Sequence, residues 1–480
     1  MEKIFKLQEN GTTVRTEIVA GITTFLTMAY IIALNPNILT GYGFAAGDQG
    51  QMLWNAVFVA TCLASGIAMI CMAFIANKPF CLAPGMGLNS FFAATVATLM
   101  VTAGVSYVAG FQAMLLVVIA EGIVFLILTL CNVREKIVEA IPRGVRFGIA
   151  PAIGLMLLSI GFGSNVYIPD ATGEGQVYML QTFFGALTAL QLKESLGPEV
   201  LGALIFNVSI AMIGLLFILY FIKKKVRGAV IIGMLVASLL YWAAEFAMGQ
   251  DPFAGLATAS WIPPFADMAA LTLFQFNFET VAQIGWVTVL TLIITFCMID
   301  MFDTIGTLVG TASRAGMVDE EGNMPQMKEA LLADAIGTCV GGLTGTSTVT
   351  TFVESASGVE AGGRTGLTSL TCGILFLACL FLSPIAQLIP AAATSSALIY
   401  VGIVMLQGLK NINWDDLNEC VPVAVMLIAM PITSSIGNAI GMGLILYTLM
   451  KIFDGKPKEV SALTYVIAIL FLVKFFFPGM

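Results

Sequence analysis

Asp300 and Asp303 lie three residues apart inside a long apolar run, and Asp334, Glu354 and Glu121 lie inside others. An ionisable side chain within a bilayer costs at least about 2.5–3.5 kcal/mol on insertion scales, so each acid needs a reason to be there. A spacing of three puts Asp300 and Asp303 near one face of a helix. Carboxylates in such places bind protons, cations or the N–H groups of a polar ligand. The chain contains no His, so any proton it handles must travel on carboxylates, Lys, Tyr or water. The competing reading is helix capping, or a span end that reaches water. That reading weighs most for Asp300, close to the end of its span. Asp303 and Glu354 fit ligand or proton binding better.

Glu354 belongs to the stretch around which the chain is organised, residues 345–366, GTSTVTTFVESASGVEAGGRTG. Its first half is β-branched and threonine-rich, which favours an extended backbone. Small residues follow Glu354 and predict a short helix. Irregular backbone at membrane depth survives only where protein or a water-filled cavity satisfies it. The competing reading is a polar loop at the membrane surface. A second stretch opens in the same way at Pro79, with PFCLAPGMGLNSFFAATVATLM. Pro79, Pro84, Gly85 and Gly87 break its first half, and a helix is expected from about Leu88. Asn89 then holds the place that Glu354 holds in the other stretch. Its amide can both donate to and accept from a polar ligand, or simply cap the helix. Phe352 and Phe91 offer aromatic faces to a flat ring, although single Phe residues usually serve packing. Gly337, Gly341 and Gly342 are expected to allow close helix contacts.

These stretches sit in a chain of 480 residues that is 58% hydrophobic and 10% charged. Soluble domains carry about 25% charged residues, so the composition is that of a membrane protein. The net charge of −8 gives no case for nucleic-acid binding. The nine Cys show no CxxC spacing, and neither disulfides nor a zinc site are expected. The N-terminus has no cleavable signal pattern.

Spans of about 20 apolar residues are expected at 17–39, ended by Pro36, and at 53–76, 111–131, 145–162, 200–222 and 229–248. A proline-containing connection, 249–285, looks like a joint. Further spans are expected at 286–310, 330–343, 367–388 and 396–409. Shorter apolar pieces cover 421–430, stopped by Pro431, and 436–452. The run 462–477 either spans the membrane or lies in its interface. Lys and Arg concentrate in every second connection, with Lys193 the exception in the first half, which predicts a cytoplasmic N-terminus. Seven spans per half make the second half enter from the opposite side. The broken segments fall third in each half. Matched interruptions in two inverted halves point to a central binding site, as in secondary transporters.

Four motifs, MAYIIALNPNIL, APGMGLNSFFA, DMFDTIGTLVG and GTSTVTTFVESASGVEAGGRTGL, resemble the adenine/guanine/hypoxanthine permeases, the AzgA-like branch of the nucleobase–cation symporters. The resemblance covers nearly the whole chain. It implies an all-α polytopic membrane protein with a 7+7 inverted repeat, two broken spans carrying short strands, and core and gate domains. On this chain the core would comprise 17–131 and 286–389 and the gate 132–248 and 390–480. Residues 1–16 would be a cytoplasmic N-terminus and 249–285 an extracellular connection. The implied function is import of purine nucleobases by proton symport at the cell membrane, with no cofactor. Asp303, Glu354 and Asn89 fall where related permeases bind the ring, and Phe352 and Val353 complete the expected substrate set. Asp303 and Glu354 are the expected proton carriers. Thr307 stands where uracil-type relatives have a His. The preferred purine, sodium in place of protons, and the oligomeric state, a homodimer among the options, stay open.

Two other functions fit these residues less well. An anion transporter or channel of this fold would prefer a basic or neutral site, which Glu354 and Asp303 oppose. An intramembrane aspartyl protease would need a GxGD motif, and none occurs.

Overall fold

The computed structural model describes residues 2–41, 47–131, 142–164, 190–257, 260–314, 317, 324–433 and 436–476. Residues 165–189, between the fifth and sixth expected spans, lie outside these residues. Among the described residues, ten helices are long and apolar enough to cross a membrane, and three shorter apolar helices follow Leu417 or later.

The first half contains α1 (Val14–Met28), α2 (Ile31–Thr40), α3 (Gly50–Cys71), β1 (Leu82–Pro84), α4 (Met86–Ala103), α5 (Tyr107–Leu130), α6 (Arg143–Ser159), α7 (Leu190–Lys223) and α8 (Ala229–Ala247). Two short helices, α9 (Phe265–Leu271) and α10 (Phe278–Ile284), occupy the joint. The second half contains α11 (Trp286–Arg314), α12 (Met327–Thr344), β2 (Val349–Thr351), α13 (Ser355–Glu360), α14 (Gly366–Ala378), α15 (Ser383–Gln387) and α16 (Ala391–Met405). It closes with α17 (Leu417–Thr433), α18 (Ile436–Phe453) and α19 (Ala462–Phe476).

The first span differs from expectation. It is interrupted at Ala29–Tyr30, and Pro36 lies inside α2 rather than ending the span. Proline removes one backbone donor, and α2 nevertheless continues past it to Thr40. Pro431 likewise lies within α17. The sixth span, Leu201–Lys223, falls where the apolar run places it, on a helix that already begins at Leu190. The helix of the first broken segment starts at Met86, with Gly85 at its N-cap.

Partner exchange between the halves makes the inverted repeat visible. Helix α5 packs on α12 as α14 packs on α3, and α11 packs on α5 as α1 packs on α14. Helix α4 meets α11 as α13 meets α1. In a second set, α7 packs on α16 as α17 packs on α6, and α7 on α8 as α17 on α18. The strands lie where the halves meet. They pair antiparallel, with Leu82 opposite Thr351, Ala83 opposite Thr350 and Pro84 opposite Val349. Phe352 N–H donates to Cys81 O at 2.9 Å and Gly85 N–H to Thr348 O at 3.0 Å, which extends the ladder at both ends. The buried backbone of each broken segment is thereby satisfied by the other.

Glycines allow the close approaches. A Cβ on Gly358 would collide with Thr24 Oγ1, so the glycine lets α13 seat on α1. A Cβ on Gly342 would stand 2.7 Å from Ile119, and one on Gly337 2.9 Å from Ala68.

Candidate functional site

Each broken segment is held from behind by buried polar side chains. Asp334, from α12, accepts Thr351 N–H at 3.1 Å and the Thr351 hydroxyl at 3.3 Å. The Thr304 hydroxyl lies 3.1 Å from Asp300 Oδ1, 3.1 Å from Asp334 Oδ2 and 2.6 Å from Thr350 Oγ1. Thr348 donates to Glu121 Oε2 at 2.6 Å. Asp300, Asp334 and Glu121 are fully buried. Three of the five intramembrane acids therefore hold the strands and the helices around them.

Asn89 joins this support. It lies one turn into α4, where its amide donates to Pro84 O at 3.2 Å and its carbonyl accepts from Ser347 Oγ. It is fully buried and ties one broken segment to the other.

The remaining two acids face a cavity of about 300 Å³, the lower end of the ~300–1,000 Å³ usual for small-molecule sites. One wall is the strand layer, with Gly85, Met86, Gly87, Thr351, Phe352, Val353 and Glu354. Asp303 and Thr307, one turn apart on α11, flank it, and Tyr30 joins from the break in the first span. The opposite wall comes from α6, with Arg146, Ile149, Ala150 and Ile153. Val401, Val404 and Met405 of α16, with Gln407 beyond it, complete that wall. A Cβ on Gly87 would stand 2.6 Å from Ile153, so glycine is what lets α4 approach the far wall.

Glu354 occupies the N-cap of α13 but makes no capping bond to its own helix. Its Oε1 instead accepts the Tyr30 hydroxyl at 2.7 Å. Asp303 is half-buried on the α11 wall. The opposite end of α13 is closed by Arg364, whose Nη1 donates to Val359 O at 2.8 Å and Gly363 O at 2.7 Å. Glu17 then anchors the next turn. It accepts Arg364 N–H at 2.8 Å, Thr365 N–H and Thr368 N–H at 3.2 Å, and the Thr368 hydroxyl at 2.6 Å.

Four of the five expected substrate residues, Asp303, Glu354, Phe352 and Val353, thus line one cavity, and Asn89 lies behind its floor. Phe91 is not on the wall. It packs against Phe296, with ring centroids 4.9 Å apart. Sequence reasoning missed Tyr30, Arg146 and Glu17. Tyr30 lies within the motif MAYIIALNPNIL, and its phenol is the available signal. The site presents apolar faces with polar groups at their edges. That suits a flat ring carrying hydrogen-bonding edges.

An inverted-repeat membrane fold with a small-molecule cavity beside two paired broken spans defines a transporter, not an enzyme. The chain matches the Permease family (Xan_ur_permease) over residues 15–444, and it belongs to that family. It is similar to the adenine permease AdeP of Escherichia coli (strain K12), 37% identical over 99% of this chain and 96% of the relative. It is also similar to the guanine/hypoxanthine permease PbuG of Bacillus subtilis (strain 168), 35% identical over 99% of this chain and the whole of the relative. Among solved structures, the transmembrane domain of the cyanobacterial bicarbonate transporter BicA shares the fold. Its TM-score is 0.58 at 17% identity, over 90% of this chain and 97% of that one. The murine Slc26a9 anion transporter in its inward-facing state also scores 0.58, at 12% identity, over 92% of this chain and 68% of that one.

Proposed function

We propose that this permease imports purine nucleobases across the plasma membrane by proton symport. The observation that carries the reading is the full-length similarity to adenine and to guanine/hypoxanthine permeases, joined to a cavity edged by Asp303 and Glu354. The ring lies against Phe352 and Val353, and its N–H groups pair with the two carboxylates. Asn89 assists from behind by holding Ser347 and the strand ends in place. The helices around the strands, 17–131 and 286–389, act as a core that carries the site. Residues 132–248 and 390–480 act as a gate.

Arg143, Arg146 and Lys410 lie on the side of the cavity bounded by the start of α6 and the end of α16. In this reading the positive-inside rule makes that side the cytoplasmic one. Radiolabelled adenine, guanine, hypoxanthine and uracil uptake, in cells lacking their own carriers, tests the reading. Purine uptake that exceeds uracil uptake supports it, and uptake of none of the four overturns it.

A further inference from the structure

We propose that Tyr30 is a positioning residue for the nucleobase, fixing how Glu354 presents its two oxygens to it. This rests on the function proposed above and deepens it. The phenol lies in the Ala29–Tyr30 interruption of the first span. It is 1% exposed, yet it borders the cavity beside Glu354. Its hydroxyl donates to Glu354 Oε1 at 2.7 Å, across 324 residues of chain. A hydrogen bond to a charged acceptor is short and directional, so it fixes the plane of the carboxylate as well as occupying one oxygen. Among the described residues no other side chain donates to Glu354. Oε1 keeps a second lone pair beyond that bond, and among these residues Oε2 carries no side-chain donor at all.

This arrangement has a consequence for selectivity. Hypoxanthine carries one ring N–H on its six-membered edge, at N1. Guanine carries the same N–H with an amino group next to it. A freely turning carboxylate takes both donors with its two oxygens, as it does with a guanidinium fork. A carboxylate held by Tyr30 cannot turn to meet both, and its Oε1, already engaged, is the weaker acceptor for a second donor. The 2-amino group of guanine therefore gains little, and the two bases are held by the same bond. Removing the hydroxyl releases Glu354. Hypoxanthine then loses an ordered acceptor, while guanine recovers the loss by engaging both oxygens.

The experiment is equilibrium binding of radiolabelled guanine and hypoxanthine to the purified full-length protein and to Tyr30→Phe, which keeps the ring. The wild-type protein should bind the two about equally. In Tyr30→Phe, hypoxanthine should weaken about tenfold relative to guanine, the size of one charge-assisted hydrogen bond. A ratio unchanged by the substitution overturns the proposal and leaves Tyr30 as packing. Guanine binding about tenfold tighter than hypoxanthine in the wild-type protein overturns it as well, and that measurement does not depend on the variant folding. A wild-type protein that binds neither base but binds adenine removes this proposal alone. One that binds no nucleobase removes the function on which it rests.

Discussion

At the scale of single residues, the acids divide by their neighbours rather than by their depth. Glu354 and Asp303 border the cavity, whereas Asp300, Asp334 and Glu121 bond to hydroxyls and backbone behind it. The two groups should respond differently to substitution. Glu354→Ala and Asp303→Ala should each cut purine uptake by one or two decades, because a ligand donor left unpaired in a buried site costs about 1–3 kcal/mol. Both proteins should still reach the membrane, and uptake with wild-type affinity would take the residue out of the site. Asp334→Ala is expected to act on the fold. It leaves Thr351 N–H short of its acceptor in a fully buried place, whereas the Thr304 hydroxyl keeps Asp300 Oδ1. The cost is again about 1–3 kcal/mol, but it should be read as a lower thermal midpoint of the purified protein. An Asp334→Ala protein as heat-stable as the wild type would show that the strand does not depend on this carboxylate.

At the scale of elements, the two broken segments were legible because their breakers are local. Pro79, Pro84, Gly85 and Gly87 in one, and the threonine run before Glu354 in the other, forbid or disfavour helix where they stand. What those pieces pair with was not local. The antiparallel register of Leu82 with Thr351 joins residues far apart in the chain, and no spacing within either segment specifies it. The interruption at Tyr30 went unread for another reason. MAYI contains neither glycine nor proline, so its break is set by tertiary contacts. Glu17 was read only as the start of a span, although its carboxylate caps the start of α14, 347 or more residues away. That capping predicts a measurable role. Glu17→Ala removes the acceptor of three backbone N–H groups and one hydroxyl at the corner between α13 and α14. Loss of a cap costs about 0.5–2 kcal/mol. The corner also positions the half-helix that bears Glu354. Maximal uptake rate and thermal midpoint should therefore fall while ligand affinity changes little, since Glu17 is not on the cavity wall. A selective loss of affinity with normal stability would contradict this.

At the scale of the whole molecule, shared fold and shared substrate come apart. The solved relatives by shape are a bicarbonate transporter domain and an anion transporter, at 17% and 12% identity. The relatives by sequence, at 35–37%, are purine permeases. The fold supplies two half-helices and a strand pair, and the cavity side chains decide what is bound. Asp303 and Glu354 make this cavity a poor host for an anion, even with Arg146 on its far wall. The same pair bears on energy coupling. A charged carboxylate is costly to move through an apolar gate, and burial favours its neutral form. Asp303 is the proposed proton site because it lies within a continuous helix, α11. Glu354 sits at the N-terminus of α13 and beside the Tyr30 hydroxyl, two features that favour its charge. Under that proposal a proton on Asp303 would let the loaded core pass the gate, and the unprotonated empty core would resist the movement and so prevent a leak. Proteoliposomes with an acid exterior and no sodium should therefore accumulate purine, and accumulation that requires sodium and ignores the pH gradient would refute proton symport. Asp303→Asn fixes the neutral form. It should still exchange labelled purine across the membrane while losing accumulation against a gradient. Full accumulation by Asp303→Asn would move the proton to another group, with Glu354 next, and the same pair of assays on Glu354→Gln would decide it.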